Sequence, residues 1–241
     1  MKKYAAITSM NKEYYDRCGK VMLETFKDKW GHLMKLYVYN EDNFDLGDKF
    51  FKPMGWDLGN EYEAFQERHK NNRVKTFSKK GFSIIHAMDN IDCDRLIWID
   101  ADVIFKSPIP PNILDDITND KILSTHFMVW HHIEGIDYYS CETGFFVLNK
   151  RHKGFEVFKN TYKDIYYNDK TDGLRRFYDG EIYGKTVRTC SGFRMMNLSV
   201  RDKIKTPIKK SILEPYLEHH KAGMKERVKK AKTIASTPLF E

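Results

Sequence analysis

Asp100 and Asp102 stand one alanine apart in the segment RLIWIDADVIF, Arg95–Phe105. Two carboxylates so close repel each other, and burying them is costly unless a cation or hydrogen-bond donors offset the charge. Hard oxygen ligands of this kind suit Mg²⁺ or Mn²⁺, which keep open positions for waters or phosphate oxygens. The alternative is a structural pair that caps loops by accepting backbone N–H groups. The residues ahead favour the first reading. Leu96, Ile97, Trp98 and Ile99 are the bulky and β-branched types of a strand buried on both faces, and the pair sits where that strand would emerge.

The rest of the chain must supply the scaffold. Tyr4–Met10 and Leu33–Asp42 read as strands. Between them Tyr15, Cys18, Val21, Met22 and Phe26 fall on one helical face. Helices are expected over Glu61–Asn71 and Ser78–Asn90, and a turn at Ser107–Pro111. Beyond it, strands are expected at Lys121–Phe127 and Gly144–Lys150, a helix at Phe155–Tyr167 and a short strand at Lys185–Thr189. This alternation predicts an α/β fold with a mainly parallel central sheet. In such sheets ligands bind beyond the carboxyl ends of the strands, which is where the aspartates fall.

Composition narrows the classes. The chain has 241 residues, including 14 Tyr and 16 Phe, enough for a sizeable core. No stretch reaches the ~20 apolar residues of a membrane span, and the apolar run after the first lysines is too short for a secretory signal, so a cytoplasmic protein is expected. Cys18, Cys93, Cys141 and Cys190 are scattered without metal-ligand spacing and read as buried thiols. The net charge of +7 falls in one place: between Arg201 and Lys232 eleven Lys or Arg face four Asp or Glu. Residues 1–200 are therefore read as one domain and 201–241 as a basic C-terminal extension. Such a segment is either a solvated face or an attractor of anions.

WIDADVIF resembles the metal-binding Asp-x-Asp segment of GT-A glycosyltransferases, especially family 8, the glycogenins and bacterial galactosyltransferases. CETGFFVLN is similar to that family's Asn-Ala-Gly element, with Glu142 at the Asn and Gly144 at the Gly. YDGEIYG resembles its Asp-Gln-Asp element, with Asp179 and Glu181 at the acids and Gly180 at the Gln. HHKAGMK resembles its His-x-x-Gly…Lys element, with His220 and Gly223 in register and Lys225 one position early. Order and spacing agree from Tyr4 to Lys225.

The resemblance implies a GT-A, Rossmann-like domain, a nucleotide-sugar donor such as a UDP-sugar, and Mn²⁺ or Mg²⁺ as cofactor. It implies Asp100, Asp102 and His220 as metal ligands, the cation neutralising the diphosphate leaving group. Asp100 either ligates the metal or, as the resemblance implies, helps hold the ribose, with Lys221, Gly223 and Lys225 closing over the phosphates. Thr8, Ser9 and Tyr14 are expected at the nucleotide, and Lys79 or Lys80 at a phosphate or the sugar. Glu142, Asp179 and Glu181 are the catalytic candidates for taking the acceptor proton. Retaining relatives leave that task to the departing phosphate, and the resemblance favours retention.

The basic segment suits an anionic acceptor. The first choice is DNA carrying hydroxymethylated bases, as in bacteriophages. Another is a lipopolysaccharide-type surface glycan reached by peripheral membrane contact. Two competing readings remain. A nucleotidyltransferase would also use paired Asp and a metal, but YAAITSMNKEYY carries no Gly-rich phosphate loop. A non-catalytic nucleic-acid-binding protein would use the lysines but has no need of an Asp pair at a strand end.

Overall fold

A computed structural model of the protein describes residues 2–133, 136–199 and 207–220. The first strand, β1 (Tyr4–Met10), leads into a helix of three parts: α1 (Lys12–Tyr14), a π-helical turn (Tyr15–Gly19) and α2 (Lys20–Lys29). Then follow β2 (Lys35–Asn40), β3 (Lys52–Met54), α3 (Asn60–Arg68) and α4 (Asn72–Asn90). The central part comprises β4 (Arg95–Ile99), β5 (Val103–Phe105), α5 (Pro111–Ile117), β6 (Ser124–Ile133) and β7 (Ile136–Asn149). The chain continues through α6 (Phe155–Tyr167), α7 (Asp179–Thr189), β8 (Met195–Asn197) and β9 (Leu217–His219).

Seven strands form one sheet in the order β3-β2-β1-β4-β7-β6-β8. Pairing is parallel from β3 to β4 and between β6 and β8, and antiparallel at β4/β7 and β6/β7. The sheet is mixed and mostly parallel, as the alternation of elements implies. β4 is buried along its whole length because both faces are covered. On one face Leu96 and Trp98 pack with Phe82, Ile85, Tyr162 and Tyr183 from α4, α6 and α7. On the other, Ile97 and Ile99 pack with Met22, Phe26 and Trp30 of the α2 region and with Phe105, Leu213 and Leu217. The four cysteines are free and buried, as their scatter suggests. No helix among the described residues is long and apolar enough to cross a membrane.

Two local expectations change. Lys185–Thr189 is not a strand but the last part of α7. Its Thr and Val favour a strand in isolation, yet Ile182, Tyr183, Thr186 and Val187 recur at helical spacing and all are buried. α4 also begins earlier than Ser78. Asn71 caps it, its side-chain oxygen accepting from the backbone N–H of Arg73 at 2.9 Å and of Val74 at 3.4 Å.

Candidate active site

At the end of β4 the chain turns sharply and re-enters as β5. The Asp100 N–H donates to Gly144 O (2.9 Å) and the Val103 N–H to Asp100 O (3.1 Å), so the Asp-Ala-Asp turn is pinned on both sides. β5 pairs antiparallel with β9, setting His219 opposite Val103. This pairing carries the imidazole to the two aspartates. His219 Nε2 lies 3.0 Å from Asp102 Oδ1 and 3.8 Å from Asp100 Oδ2. One ligand atom from each of the three residues falls within 4.8 Å of the others. His219 fits only because residue 144 is glycine: a Cβ there would lie 2.4 Å from the ring.

A second layer holds this group in place. Asp100 Oδ1 accepts from Lys80 Nζ (2.6 Å) and from the Trp98 indole N–H (2.7 Å), which leaves Oδ2 as the oxygen facing His219. The Lys80 ammonium also donates to Thr143 O (2.7 Å) and lies 3.0 Å from Asp179 Oδ2. Asp179 accepts in turn from the Thr143 hydroxyl at 2.6 Å. Glu142 Oε1 accepts from the Gly144 N–H (3.2 Å) and lies 3.5 Å from His219 Nδ1.

Charge explains the titration of the group. Burial alone would lower the Lys80 pKa, but the Asp100 and Asp179 carboxylates more than reverse that and raise it. Burial would raise the Asp179 pKa. Lys80 and the Thr143 hydroxyl overcome it and hold the carboxyl below its ordinary value. His219 is likewise opposed by burial, yet its hydrogen bond to Asp102 and the nearby charges of Asp102 and Asp100 raise its pKa. Burial raises the Tyr14 pKa, and the charges of Asp102 and Asp100 add to the effect, so this hydroxyl stands at the same end of the sheet.

Carboxylate oxygens with one imidazole nitrogen make a donor set suited to Mn²⁺ or Mg²⁺. Lys80 and Trp98 orient Asp100 from behind, as the outer partners of metal ligands do. The residues fit a divalent cation.

Among the residues singled out from sequence, Asp100, Asp102, Glu142 and Asp179 come together here. His220 is not part of that group among the described residues: its Nε2 lies 3.6 Å from Glu218 Oε1, and its backbone N–H donates to Asp102 O at 3.0 Å. Glu181 turns away, its Oε2 accepting from the backbone N–H of Arg175 (2.7 Å) and Arg176 (3.1 Å). Lys79 pairs with Glu41 at 2.7 Å, and it is its neighbour Lys80 that enters the cluster. Thr8 is wholly buried in β1, while Ser9 near the carboxyl end of β1 and Tyr14 on α1 keep surface, Tyr14 being 41% exposed. Lys221, Gly223 and Lys225 lie outside the described residues. The parts that sequence reasoning missed are His219 as the imidazole beside the aspartates, and Thr143 and Trp98 as supports. Trp98 carried a signal, being two residues before Asp100 on a strand and hence on the same face.

No family model matches the chain, and no curated protein matches it in sequence. Solved structures do resemble it. One is a bifunctional glycosyltransferase, WbbM, with TM-score 0.60 and 13% identity over 98% of this chain and 50% of that one. A galactosyltransferase, LgtC, solved with donor and acceptor sugar analogues, has TM-score 0.56 and 12% identity over 98% of both chains. A glycosyltransferase involved in glycosylation of the major capsid of PBCV-1 has TM-score 0.52 and 13% identity, over 95% of this chain and 99% of that one. At such identities the likeness is one of fold, and the fold is GT-A.

Proposed function

We propose that this chain is a divalent-metal-dependent glycosyltransferase that moves a sugar from a nucleotide-sugar donor, a UDP-sugar, to a hydroxyl of a glycan acceptor. What supports this is the convergence of Asp100, Asp102 and His219 at the carboxyl end of β4, in a GT-A fold. These three residues would hold Mn²⁺ or Mg²⁺, with His219 in the role that motif register alone gives to His220. When bound, the cation neutralises charge on the departing diphosphate. Lys80 orients Asp100. Ser9 and Tyr14, at the carboxyl end of β1, are the described residues proposed to meet the nucleotide. The segment at 207–220 delivers His219, in keeping with a C-terminal part that completes the donor site.

The carboxylates favour retention. Asp179 is held ionised by Lys80 and Thr143, which suits it to accept hydrogen bonds from a sugar and makes it a weak base. Glu181 is occupied with a backbone loop. A reaction in which the leaving phosphate takes the acceptor proton needs neither of them. As for the acceptor, the argument for hydroxymethylated DNA rests on lysines that mostly lie outside the described residues. The fold neighbours include an enzyme of capsid glycosylation and one bound to an acceptor sugar analogue, which favours a glycan.

The test is incubation with Mn²⁺ and a panel of UDP-sugars, offering oligosaccharides and hydroxymethylated DNA as acceptors. UDP release is followed, and the anomeric configuration of the product is read by proton NMR. Transfer to an oligosaccharide with retention, abolished by EDTA and by Asp102→Ala, is expected. Transfer that survives both treatments would reject the metal assignment.

A further inference from the structure

Taking the cluster as a divalent-cation site, on which reading this rests, we infer that Glu142 is a positioning residue for the metal-binding histidine. Its carboxylate accepts the Nδ1 proton of His219 and so fixes the tautomer in which Nε2 carries the free lone pair.

A neutral imidazole has one N–H and one lone pair. The nitrogen that faces Asp102 and Asp100 is Nε2, at 3.0 and 3.8 Å, so this is the atom that can meet a cation held by those carboxylates. The ring proton must then reside on Nδ1. That atom faces Glu142 Oε1 at 3.5 Å, the outer edge of hydrogen-bond distance. The same oxygen accepts from the Gly144 N–H at 3.2 Å, which ties the carboxylate to the strand that the ring leans on. Gly144 admits the ring by having no side chain, and Glu142, two residues earlier on β7, receives its proton. Both side chains are enclosed, with 6% of His219 and 10% of Glu142 exposed. A carboxylate so placed is tolerated where donors satisfy it, and among the described residues a backbone N–H and the imidazole face Oε1. Carboxylate, histidine and cation form a relay in which the outer carboxylate raises the basicity of the ring and locks its tilt.

The experiment is Mn²⁺ titration, read by electron paramagnetic resonance, of the full-length wild-type protein and of Glu142→Ala, Glu142→Gln and Asp102→Ala. Each variant is first checked by thermal melt in EDTA. Glu142→Ala should weaken Mn²⁺ binding by about 10- to 100-fold. Glu142→Gln, whose amide oxygen can still accept the Nδ1 proton, should recover part of that loss. Unchanged affinity in Glu142→Ala, with binding lost in Asp102→Ala, overturns this inference and leaves the metal reading intact. A wild-type protein that binds no Mn²⁺ overturns both. If Glu142→Ala fails to fold, imidazole nitrogen NMR of the wild-type protein with Zn²⁺ bound decides. His219 should be protonated at Nδ1 with a slowly exchanging proton, and protonation at Nε2 or exchange at the solvent rate refutes the role.

Discussion

Lys80 sits between Asp100 and Asp179 with little contact with solvent, and an ammonium so enclosed is tolerated because two carboxylates and the Thr143 carbonyl surround it. Its contribution is geometric: by occupying Oδ1 of Asp100 it presents Oδ2 to the ligand side. His219 titrates in the opposite sense from metal binding. Its folded pKa lies above the ordinary value of 6.5, because Asp102 and Asp100 outweigh burial. In the metal-free protein the imidazolium–carboxylate contact stabilises the fold fully below that ordinary value. The contribution is lost as pH rises through the raised pKa. A cation needs the neutral ring. Mn²⁺ affinity should therefore fall about tenfold for each pH unit below the His219 pKa, one proton being displaced per cation. Calorimetric titration between about pH 6 and 8 measures this, and a flat profile would remove His219 from the ligand set.

Among the elements, α7 is set closely against β7. Its first turn carries Asp179 and lies against the β7 backbone, where a Cβ on Gly180 would fall 2.5 Å from Cys141 O. Gly180→Ala should destabilise the protein by about 1–3 kcal/mol through overpacking. Gly192→Ala, at a position with open space around it, should stay within about 0.5 kcal/mol of wild type. Urea unfolding of both variants checks the contrast, and equal stabilities would mean that α7 can shift. The same packing shows what sequence could reveal. β4 was legible because four consecutive large apolar residues admit few other readings. The aspartates followed from where that strand ends. The strand expected at Lys185–Thr189 was misjudged because five residues are too few to separate periods of 2 and 3.6. Choosing Lys80 over Lys79 needs the rotation of α4, since neighbours on a helix point about 100° apart. Choosing His219 over His220 needs the register of β9, since neighbours on a strand face opposite ways. Neither rotation nor register is written in local composition.

On the scale of the whole molecule, the site is a joint between distant parts of the chain. Asp100 and Asp102 belong to the central sheet, and His219 arrives on β9 with a segment whose Ile208, Leu213 and Leu217 fill the same core as Ile97 and Ile99. A cation shared across that joint, as proposed, would bind only the folded protein and raise its stability. At a free Mn²⁺ concentration about a hundredfold above Kd the gain should be about 2.7 kcal/mol. Thermal melts with and without EDTA should show it for wild type and not for Asp102→Ala. A wild-type melt indifferent to Mn²⁺ would argue that the three residues are only a hydrogen-bonded cap.

The tandem imidazoles make the seam redundant in chemistry but not in packing. Sliding β9 by one residue would bring His220 opposite Val103, so an imidazole would still stand beside the aspartates. The same slide would carry Glu218 into the place of Leu217, opposite Phe105, and strand a carboxylate in hydrocarbon. Leu217 is thus the latch that selects between the two rings, keeping His219 rather than His220 opposite Val103.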